Sequence, residues 1–539
     1  MIESIEMLEA IKQEQLEKEQ SHTKKVHVCK GSSCLSMGAK EFEQKIKAAL
    51  KDSGAKKCQV KGVGCNGLCS SGVLVSCKDE KNYTLYEHVD ANNIDNLAQA
   101  IASDSIYEDL ACDTSIDFFT KQNKIVLKNA GVIDPDDIND YIAHDGYKAL
   151  LGVIHEQTPQ EVVETIKQSG LRGRGGGGYP TGLKWESVLK IESDQKYVIC
   201  NGDEGDPGAF MDRAIMEADP HLLIEGMAIA GYAVGANKGF IYVRAEYPLA
   251  VEKLQKAIKQ ANKAGLLGNK IAGSGFDFEL EIRLGGGAFV CGEATALVTS
   301  IEGNRGNPRQ KPPHLSDHGL YGKPTVLNNV ETLANIASII NGGAQWYRGF
   351  GTQDSPGTKV FALTGHIKHT GLVEVSMGLS LDELINKIGG GVSSGKLKAV
   401  QTGGPSGGCI PVNMMDTKVD YDSLKAVGSI MGSGGVIVTD DSASMVEVAR
   451  FFVEFCKSES CGKCTPCRVG TEQLTQLLDK FVAKEATQKD YTMLKMLCES
   501  IKKTSLCGLG QTAPNPVLST INYFENEYLE AINEGVDND

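Results

Sequence analysis

The sequence predicts a multidomain α/β protein with a small N-terminal α/β unit, a larger α/β unit, a β-rich module and a C-terminal helical bundle. Its 539 residues exceed what one hydrophobic core usually supports. Helix-like and strand-like segments alternate between residues 146 and 351, which is typical of a sheet flanked by helices. After residue 441 the apolar positions recur at helical spacing, which indicates a bundle.

The composition is that of a globular protein with little attraction to polyanions. Hydrophobic residues make up 41% of the chain, charged residues 23%, and the formal net charge is −14. This charge disfavours nucleic acid and anionic membrane surfaces as partners. The sequence has no apolar run of membrane-spanning length, and its first residues are too charged for a signal peptide. We therefore expect a cytoplasmic protein without a membrane span.

The N-terminal part divides into three predicted segments. Residues 1–24 carry apolar positions at roughly helical spacing among many charges, so we expect a helix that is either solvated or docked on a partner. Residues 25–105 follow a β-α-β-β-β/α pattern, which indicates a small α/β module. Residues 106–145 are mixed and polar, and we interpret them as a connector with a turn and a helix start near Asp134.

Three larger units follow. Residues 146–355 are predicted to form the layered α/β domain, residues 356–440 a β-rich module with a single helix, and residues 441–539 the helical bundle. Within the β-rich module, the glycine and lysine spacing at 390–396 resembles a phosphate-binding P-loop. Leu397 stands where that motif needs Ser or Thr to ligate magnesium, so we interpret this stretch as an ordinary loop.

The cysteines indicate metal sites. Sixteen Cys in a chain without a secretion signal favour metal or redox chemistry over a disulfide framework. Cys461, Cys464 and Cys467 form a C-x2-C-x2-C run, and Cys507 follows at a distance. Four thiolates in this pattern suit a [4Fe-4S] cluster. Zinc bound by four thiolates is the alternative, although it usually uses two C-x2-C pairs.

A second group of cysteines lies in the N-terminal unit. Cys29 and Cys34 are separated by four residues, and Cys65 and Cys69 by three, so two short loops could each ligate one iron of a [2Fe-2S] cluster. Zinc or a thiol redox pair would favour C-x2-C spacing. The remaining cysteines fit buried small side chains, although Cys58 and Cys77 lie close enough in sequence to exchange with a ligand. These remaining positions are Cys58, Cys77, Cys112, Cys200, Cys291, Cys409, Cys456 and Cys498.

Three glycine- and carboxylate-rich segments predict a nucleotide cleft. The first is GLRGRGGGGYPTGLKW at residues 170–185, in which Arg172, Arg174 and Lys184 could balance phosphate charge. The second, NGDEGDPG at residues 201–208, follows a strand-like segment, and α/β proteins bind ligands at the carboxyl ends of strands. The third is the glycine block 285–287, which lies between a strand-like and a helix-like segment.

Taken together, these motifs resemble the NADH-binding flavoprotein subunit of respiratory complex I. They resemble more closely its soluble relatives, the diaphorase subunits of NAD-linked [FeFe]-hydrogenases and formate dehydrogenases. The resemblance runs from about residue 25 to 520. Its matching segments are GLRGRGGGGYPTGLKW, NGDEGDPGAFMDR, GGGAFVCGEATAL, TVLNNVETLANI and SESCGKCTPCRVG with SLCGLG. The resemblance implies FMN-binding positions at Gly173, Arg174, Gly175, Lys184, Asn201, Asp203, Glu204, Gly292, Glu293, Asn328 and Asn329. It implies NADH-binding positions at Tyr179, Trp185, Asp206, Lys311 and His314.

The resemblance also specifies the modules. It implies a thioredoxin-like [2Fe-2S] domain at the N-terminus, a Rossmann-like FMN and NADH domain, a β-grasp SLBB-like module, and a helical bundle holding the [4Fe-4S] cluster. Ala294 departs from the family pattern CGEETAL, since it removes a carboxylate beside the flavin. His314 replaces an expected aromatic residue. The chain also lacks the C-terminal ferredoxin-like domain of many bifurcating relatives.

The expected function follows from these parts. FMN would take a hydride from NADH and pass single electrons through iron–sulfur clusters, reversibly, to a partner. No side-chain nucleophile is needed. The partners implied are a catalytic iron–sulfur hydrogenase or formate dehydrogenase subunit and a small thioredoxin-like [2Fe-2S] subunit. Two alternatives stay open: a flavin-based bifurcating complex that also uses ferredoxin, and a non-catalytic iron–sulfur scaffold that only connects partners.

Overall fold

The computed structural model describes residues 1–53, 55, 57–80 and 82–533. The strands are β1 Lys24–Cys29, β2 Cys58–Val63, β3 Val75–Lys78, β4 Tyr83–Tyr86, β5 Ala111–Cys112, β6 Tyr197–Gly202, β7 Lys238–Arg244, β8 Glu279–Gly285, β9 Thr325–Asn329, β10 Thr358–Gly365, β11 Gly371–Ser376, β12 Leu397–Thr402, β13 Gly408–Pro411 and β14 Gly435–Asp440. The α-helices are α1 Ile5–Gln20, α2 Ser32–Ser36, α3 Ala39–Asp52, α4 Ile94–Ala102, α5 Asp117–Thr120, α6 Ile138–Ala143, α7 Lys148–Glu156, α8 Pro159–Ser169, α9 Thr181–Leu189, α10 Met211–Ala218, α11 Pro220–Val234, α12 Pro248–Ala264, α13 Ala294–Ile301, α14 Leu315–His318, α15 Val330–Ala334, α16 Ile336–Gly342, α17 Ala344–Arg348, α18 Tyr421–Ala426, α19 Met445–Ser458, α20 Thr465–Val482, α21 Gln488–Thr504, α22 Gly508–Thr512 and α23 Asn515–Leu529.

The N-terminal unit has the predicted β-α-β-β-β/α composition. Its sheet has the order β2-β1-β3-β4-β5, in which β1 and β2 are parallel and the other pairings are antiparallel. Helix α3 packs on the sheet with Phe42, Ile46 and Leu50, which share one helical face because they are four residues apart. A parallel βαβ unit followed by an antiparallel pair and a helix agrees with the expected thioredoxin-like fold.

Helix α1 docks on its own chain, so the expectation of a solvated or partner-docked helix was wrong. Leu8 is 4% exposed and belongs to the same core as Ile142 of α6. The Ile2 amide donates to the Ala264 carbonyl at the end of α12. The sequence did not identify what the apolar face of α1 packs against. The structure shows that this face is buried against the larger α/β domain.

The predicted connector is likewise part of the core. Asp137 caps the N-terminus of α6, as the turn near Asp134 predicted. Val126 is 2% exposed, and its amide and that of Leu127 donate to the carboxylate of Glu374 on β11. Val126 and Leu127 lie between the N-terminal unit and the β-rich module. The predicted connector is therefore a packed layer rather than a linker.

The larger α/β domain is built on a fully parallel sheet in the order β8-β7-β6-β9. Consecutive residues of β6, Val198, Ile199 and Cys200, are buried, as expected for a parallel strand covered on both faces. The sequence predicted β6, β7 and β8 but missed β9. All four strands end at the same edge, which is where Rossmann-like sheets place their ligands.

The β-rich module has the sheet order β11-β10-β14-β12-β13. The structure corrects the prediction of a single helix, because α18 accompanies the π-helical segment Glu383–Ile388. It also adds β13, whose four residues carry no strong strand pattern. The glycine-rich stretch before β12 is a loop, as predicted.

The C-terminal residues form the expected helical bundle. Helices α19, α20, α21 and α23 pack around Leu474, Leu494 and Val517, which are fully buried. Across the described part of the chain, none of the helices combines the length and the apolar character that crossing a membrane requires.

Candidate functional site

The carboxyl edge of the parallel sheet brings together the polar residues that the sequence singled out. Asn201 is the penultimate residue of β6. Asn328 and Asn329 end the neighbouring strand β9, in direct register with Cys200 and Asn201. The Asn201 amide donates to the Gly292 carbonyl over 2.9 Å, which places the turn before α13 over the same edge. Asn329 caps α15 and also donates to Asp212 at the start of α10.

The glycine-rich loop after α8 lies against this edge. A Cβ on Gly175 would meet the Asn329 Cβ at 3.0 Å, whereas a Cβ on Gly177 would meet no atom within 4 Å. Gly176, with φ +110°, forms a β-bridge with Gly432 of the β-rich module. The loop is therefore held closely on one side and open on the other, so its backbone is accessible to a ligand.

Arg174 does not supply the phosphate-balancing charge that we expected. Its side chain is fully buried, and the guanidinium donates to the carbonyls of Thr358, Pro356 and Arg172 and to the Tyr347 hydroxyl. These acceptors lie behind the loop, toward the β-rich module. Arg174 therefore anchors the glycine loop, and only its backbone faces the sheet edge, where its amide donates to Thr332.

Asp203 has a buried carboxylate with an unused acceptor. Its Oδ2 has no hydrogen-bond partner, and Arg244 at the end of β7 lies 3.7 Å from its Oδ1. Burial raises the pKa of Asp203 to about 7. A Cβ on Gly292 would lie 3.5 Å from this free oxygen, so both positions border the same space. An unpaired buried acceptor of this kind is costly unless a ligand donates to it.

The two following carboxylates have different environments. Glu204 accepts hydrogen bonds from the amides of Asp212 and Arg213 over 3.0 and 3.1 Å, so it caps α10. Burial raises the pKa of Glu204 to about 7 and that of Asp206 to about 6. Asp206 faces the β-rich module, where the Ser433 hydroxyl is 3.4 Å from its Oδ2.

Lys184 and Trp185 lie on α9 beneath the loop. The Lys184 ammonium donates to the Leu327 carbonyl over 2.8 Å, and burial lowers its pKa to about 8. Trp185 is fully buried, and its indole donates to Asn328 Oδ1 over 2.9 Å. The prediction that Trp185 borders the dinucleotide entrance was therefore wrong; it positions Asn328 from within the core.

The remaining predicted NADH-binding residues lie at the rim. Tyr179 is 57% exposed, and Lys311 and His314 are exposed on the segment before α14. Lys311 donates to Glu293 over 2.9 Å, and Glu293 caps α13 through the amides of Thr295 and Ala296. Ala294 follows at the first position of that helix.

The second predicted centre is a cavity bordered by all four cysteines of the C-terminal set. Cys461, Cys464, Cys467 and Cys507 line the same small cavity. Its other lining residues include Val290, from the turn that ends at Gly292, and Pro308. The cysteine cavity and the sheet edge thus share one short segment of chain.

The third predicted centre lies in the N-terminal unit. Cys29 and Cys34 are each 2% exposed, and the Cys65 and Cys69 sulfurs are 3.5 Å apart. Hydrogen bonding to Cys34 and Cys65 raises the pKa of Cys29, so all four thiols lie together. All sixteen cysteines are free. Among the described residues, no group of three His, Cys, Asp or Glu side chains converges closely enough to hold a single metal ion.

Sequence reasoning missed two residues of this edge. Arg244 contacts Asp203 and could have been found as the polar end of the strand-like segment GFIYVRA. Tyr421 donates to the Gly173 carbonyl over 2.8 Å, although nearly 250 residues separate the two positions, and no local signal identifies it.

Comparisons with known protein families match three segments. Residues 166–338 match the Nuo51 FMN-binding domain. Residues 447–531 match the NADH-ubiquinone oxidoreductase-F iron-sulfur binding region. Residues 359–438 match the SLBB domain.

Individual proteins match over most of their length. The chain is 56% identical over 409 residues to the NADP-reducing hydrogenase subunit HndC of Solidesulfovibrio fructosivorans, covering 76% of this chain and 83% of HndC. It is 46% identical to the F 2 subunit of the NADH-quinone oxidoreductase of Rhizobium meliloti, covering 76% of this chain and 98% of that protein. A crystal structure of an NAD+-reducing [NiFe]-hydrogenase in the H2-reduced state superposes with a TM-score of 0.69 at 30% identity, covering 95% of this chain and 85% of that one.

Proposed function

This chain belongs to the family of NADH-quinone oxidoreductase F subunits, which includes the hydrogenase protein HndC, and from that premise we propose that it is the NADH-oxidising subunit of a hydrogenase-type complex. It would bind FMN at the sheet edge and pass electrons from NADH through iron–sulfur clusters to a partner. The observation that supports this most directly is the segment 289–293, which borders both the sheet edge and the four-cysteine cavity.

The residues at the sheet edge fit FMN. The open backbone at Gly177, the unused Asp203 oxygen and the amides near Gly292 offer both donors and an acceptor to a polar, flat ligand. The Lys184 ammonium lies in the same cleft and could balance phosphate charge. When bound, FMN supplies the chemistry, because it accepts a hydride and releases electrons singly. We assign to this role the backbone of 173–175 and the side chains Lys184, Asn201, Asp203, Glu204, Glu293, Asn328 and Asn329, with Gly292.

The rim would admit the dinucleotide. Tyr179 and His314 present exposed rings that could stack on bases, and Lys311 provides a cation held by Glu293. Asp206, buried against Ser433, closes the cleft on the side of the β-rich module. The protein's part in hydride transfer is thus to orient two ring systems and keep water away, with no side chain reacting covalently.

The four-cysteine cavity fits a [4Fe-4S] cluster. Four thiols that line one small cavity are the ligand set that such a cluster requires. The cavity adjoins the turn before α13, so a cluster there would take electrons directly from a flavin at the sheet edge.

For the N-terminal thiols we propose a [2Fe-2S] cluster. The support is the proximity of Cys29, Cys34, Cys65 and Cys69 at the end of β1 and in the neighbouring loops, with two short intervals that suit two irons. The unit contacts α10 of the FMN domain, since Ser32 donates twice to Glu217. A cluster held there would serve as a side branch or exit for electrons.

The partners and location are proposals as well. We expect a catalytic iron–sulfur hydrogenase or formate dehydrogenase subunit and a small thioredoxin-like [2Fe-2S] subunit, with ferredoxin as a further acceptor if the complex bifurcates electrons. Sixteen free cysteines favour a reducing, cytoplasmic compartment. NADPH is a second candidate substrate, because HndC is named as NADP-reducing.

The test is anaerobic reduction of the purified chain. NADH should bleach the bound flavin and reduce a viologen dye, whereas a protein that only connects partners would do neither. Lys311→Gln should raise the KM for NADH. Lys323→Gln is the matched control, because Lys323 pairs with Asp194 at the opposite, amino edge of the sheet. If the two variants have equal KM values, the proposed dinucleotide entrance is wrong.

A further inference from the structure

The glycine-rich loop at the sheet edge is a hairpin whose shape depends on contacts from elsewhere in the chain. The Gly173 amide donates to the Tyr179 carbonyl over 2.9 Å, and Arg172 forms an antiparallel β-bridge with Pro180. Five of the six residues from 173 to 178 are glycines. Because glycine loses more conformational freedom on folding than any other residue, a loop of this composition needs outside contacts to be ordered before a ligand binds.

Tyr421 supplies one of these contacts from the β-rich module. It is the first residue of α18 and is 7% exposed. Its hydroxyl donates to the Gly173 carbonyl over 2.8 Å. Gly178, with φ +58°, lies against the ring, because a Cβ at this position would be 2.7 Å from the Tyr421 Cδ1. A single side chain of the β-rich module therefore contacts both sides of the hairpin.

Arg172 supplies the second contact. The sequence suggested that this residue balances phosphate charge, but its Nε donates to the Gly178 carbonyl over 2.7 Å. Its guanidinium carbon lies 4.3 Å from the centre of the Tyr421 ring, which is a cation–π distance. Its Nη1 donates to the Asp354 carbonyl and to the Asp422 carboxylate, each over 3.1 Å. The guanidinium thus connects the loop backbone to α18.

These contacts leave the tip of the loop open. Gly176 is held by its β-bridge to Gly432 of the β-rich module, and Gly175 lies against Asn329. A Cβ on Gly177, next to them, would meet no atom within 4 Å. The fold therefore fixes the neighbours of Gly177 while its own backbone stays accessible, and a preordered backbone of this kind suits an anion or a flat ring.

We infer that Tyr421 and Arg172 are positioning residues of the flavin site, through which the β-rich module sets the affinity for FMN. This inference rests on the proposed function. The two side chains, which we call the Tyr421–Arg172 clamp, hold the hairpin in one shape before the ligand arrives. A ligand that meets an ordered loop does not have to order it, so the clamp lowers the Kd without touching the reacting atoms.

The first test is titration of the full-length, flavin-free chain with FMN, followed by flavin fluorescence. Tyr421→Phe keeps the ring and removes only the hydroxyl that binds Gly173, so the Kd should rise by about two- to tenfold. Tyr523→Phe is the matched control, because the Tyr523 hydroxyl donates to the Val427 carbonyl, directly after α18, over 3.0 Å. It removes the same kind of bond from the same module without touching the glycine loop, and its Kd should equal that of the wild type.

A second variant separates the clamp from a charge effect. Arg172→Lys keeps the positive charge but cannot reproduce the Nε bond to Gly178 or the planar contact with the Tyr421 ring. We expect it to weaken FMN binding at least as much as Tyr421→Phe does, at low and at high salt alike. If Arg172 instead balanced phosphate charge, the lysine variant would keep its affinity at low salt and lose it as salt screens the charge.

The outcomes are distinguishable. An unchanged Kd in Tyr421→Phe would overturn the inference, as would wild-type affinity in Arg172→Lys. An equal rise of the Kd in Tyr523→Phe would also overturn it, since general loosening of the β-rich module would then explain the effect. Urea unfolding of the flavin-free variants is the reference, because both Phe variants lose one hydrogen bond and should lose similar stability. A wild-type chain that binds no FMN would overturn the proposed flavin site, and this role of the clamp with it.

Discussion

The ion pair between Lys359 and Glu331 connects the β-rich module to the proposed flavin cleft. Lys359 lies on β10 and Glu331 lies on α15, two residues after Asn329. Their side chains are 0% and 1% exposed. The ammonium also donates to the Val360 carbonyl over 2.7 Å, and the carboxylate accepts from the Val360 amide over 2.9 Å. All the groups involved are buried, so each depends on the others.

Replacing Lys359 with Met would leave a buried carboxylate without its cation. Breaking one side of a buried pair costs about 3–5 kcal/mol, so we expect Lys359→Met to lower the free energy of unfolding by that amount. The double variant Lys359→Met/Glu331→Gln removes both charges and keeps an acceptor for the Val360 amide. It should recover at least about 2 kcal/mol of the loss.

Urea unfolding followed by the fluorescence of Trp185 measures this difference. Trp185 is one of two tryptophans and is fully buried beside Asn328. The other, Trp346, is 41% exposed, so a Trp346→Phe background isolates the core signal. A loss below about 1 kcal/mol for Lys359→Met, or a double variant no more stable than the single one, would contradict the reasoning.

Three further predictions concern the cofactor sites. Cys464→Ala should remove the [4Fe-4S] EPR signal and the reduction of viologen. NADH should still bleach the flavin, because hydride transfer to the flavin precedes electron transfer to the cluster. Stopped-flow absorbance that shows no bleaching in a flavin-bound variant would contradict this order. Trp185→Phe keeps an aromatic ring in the core but loses the bond to Asn328, so FMN titration of the apoprotein should show affinity weaker by about 0.5–1.5 kcal/mol. Unchanged affinity would count against a role for that bond. Burial raises the pKa of Asp203 from 3.8 to about 7. Between these two pH values the folded, flavin-free protein keeps a proton that the unfolded chain has released. The free energy of unfolding therefore falls as the pH rises from 3.8 to about 7. Asp203→Asn should remove up to about 2.7 kcal/mol of that fall between pH 5 and pH 8, because about two units of the shift lie in this interval, and an unchanged pH dependence would refute the assignment.

Features with a local periodic signal could be predicted from the sequence. The structure agrees with the predictions for strands β6, β7 and β8, for the C-terminal helices and for the helix start at Asp137. Each of these elements depends on residues that are neighbours in the sequence. The cysteine groups were found because short spacings restrict how thiols can converge. Strand β9 was missed because five residues with two asparagines do not show a strand pattern.

The errors arose where long-range contacts decide a side chain's role. Arg174 beside glycines suggests an anion site, but its guanidinium is bound by carbonyls about 180 residues further along. Trp185 follows Lys184 in a polar motif, yet helical geometry turns the two side chains in different directions. Helix α1 has an apolar face whose partner, α6, could not be identified from periodicity alone.

The central claim is that this chain carries electrons from NADH through a flavin to iron–sulfur clusters. The most direct test combines EPR of the anaerobic, NADH-reduced holoprotein with analysis of its bound metal and released flavin. We predict FMN, iron without zinc, and separate signals from a [4Fe-4S] and a [2Fe-2S] cluster. Zinc in place of iron, or a protein without flavin, would contradict it.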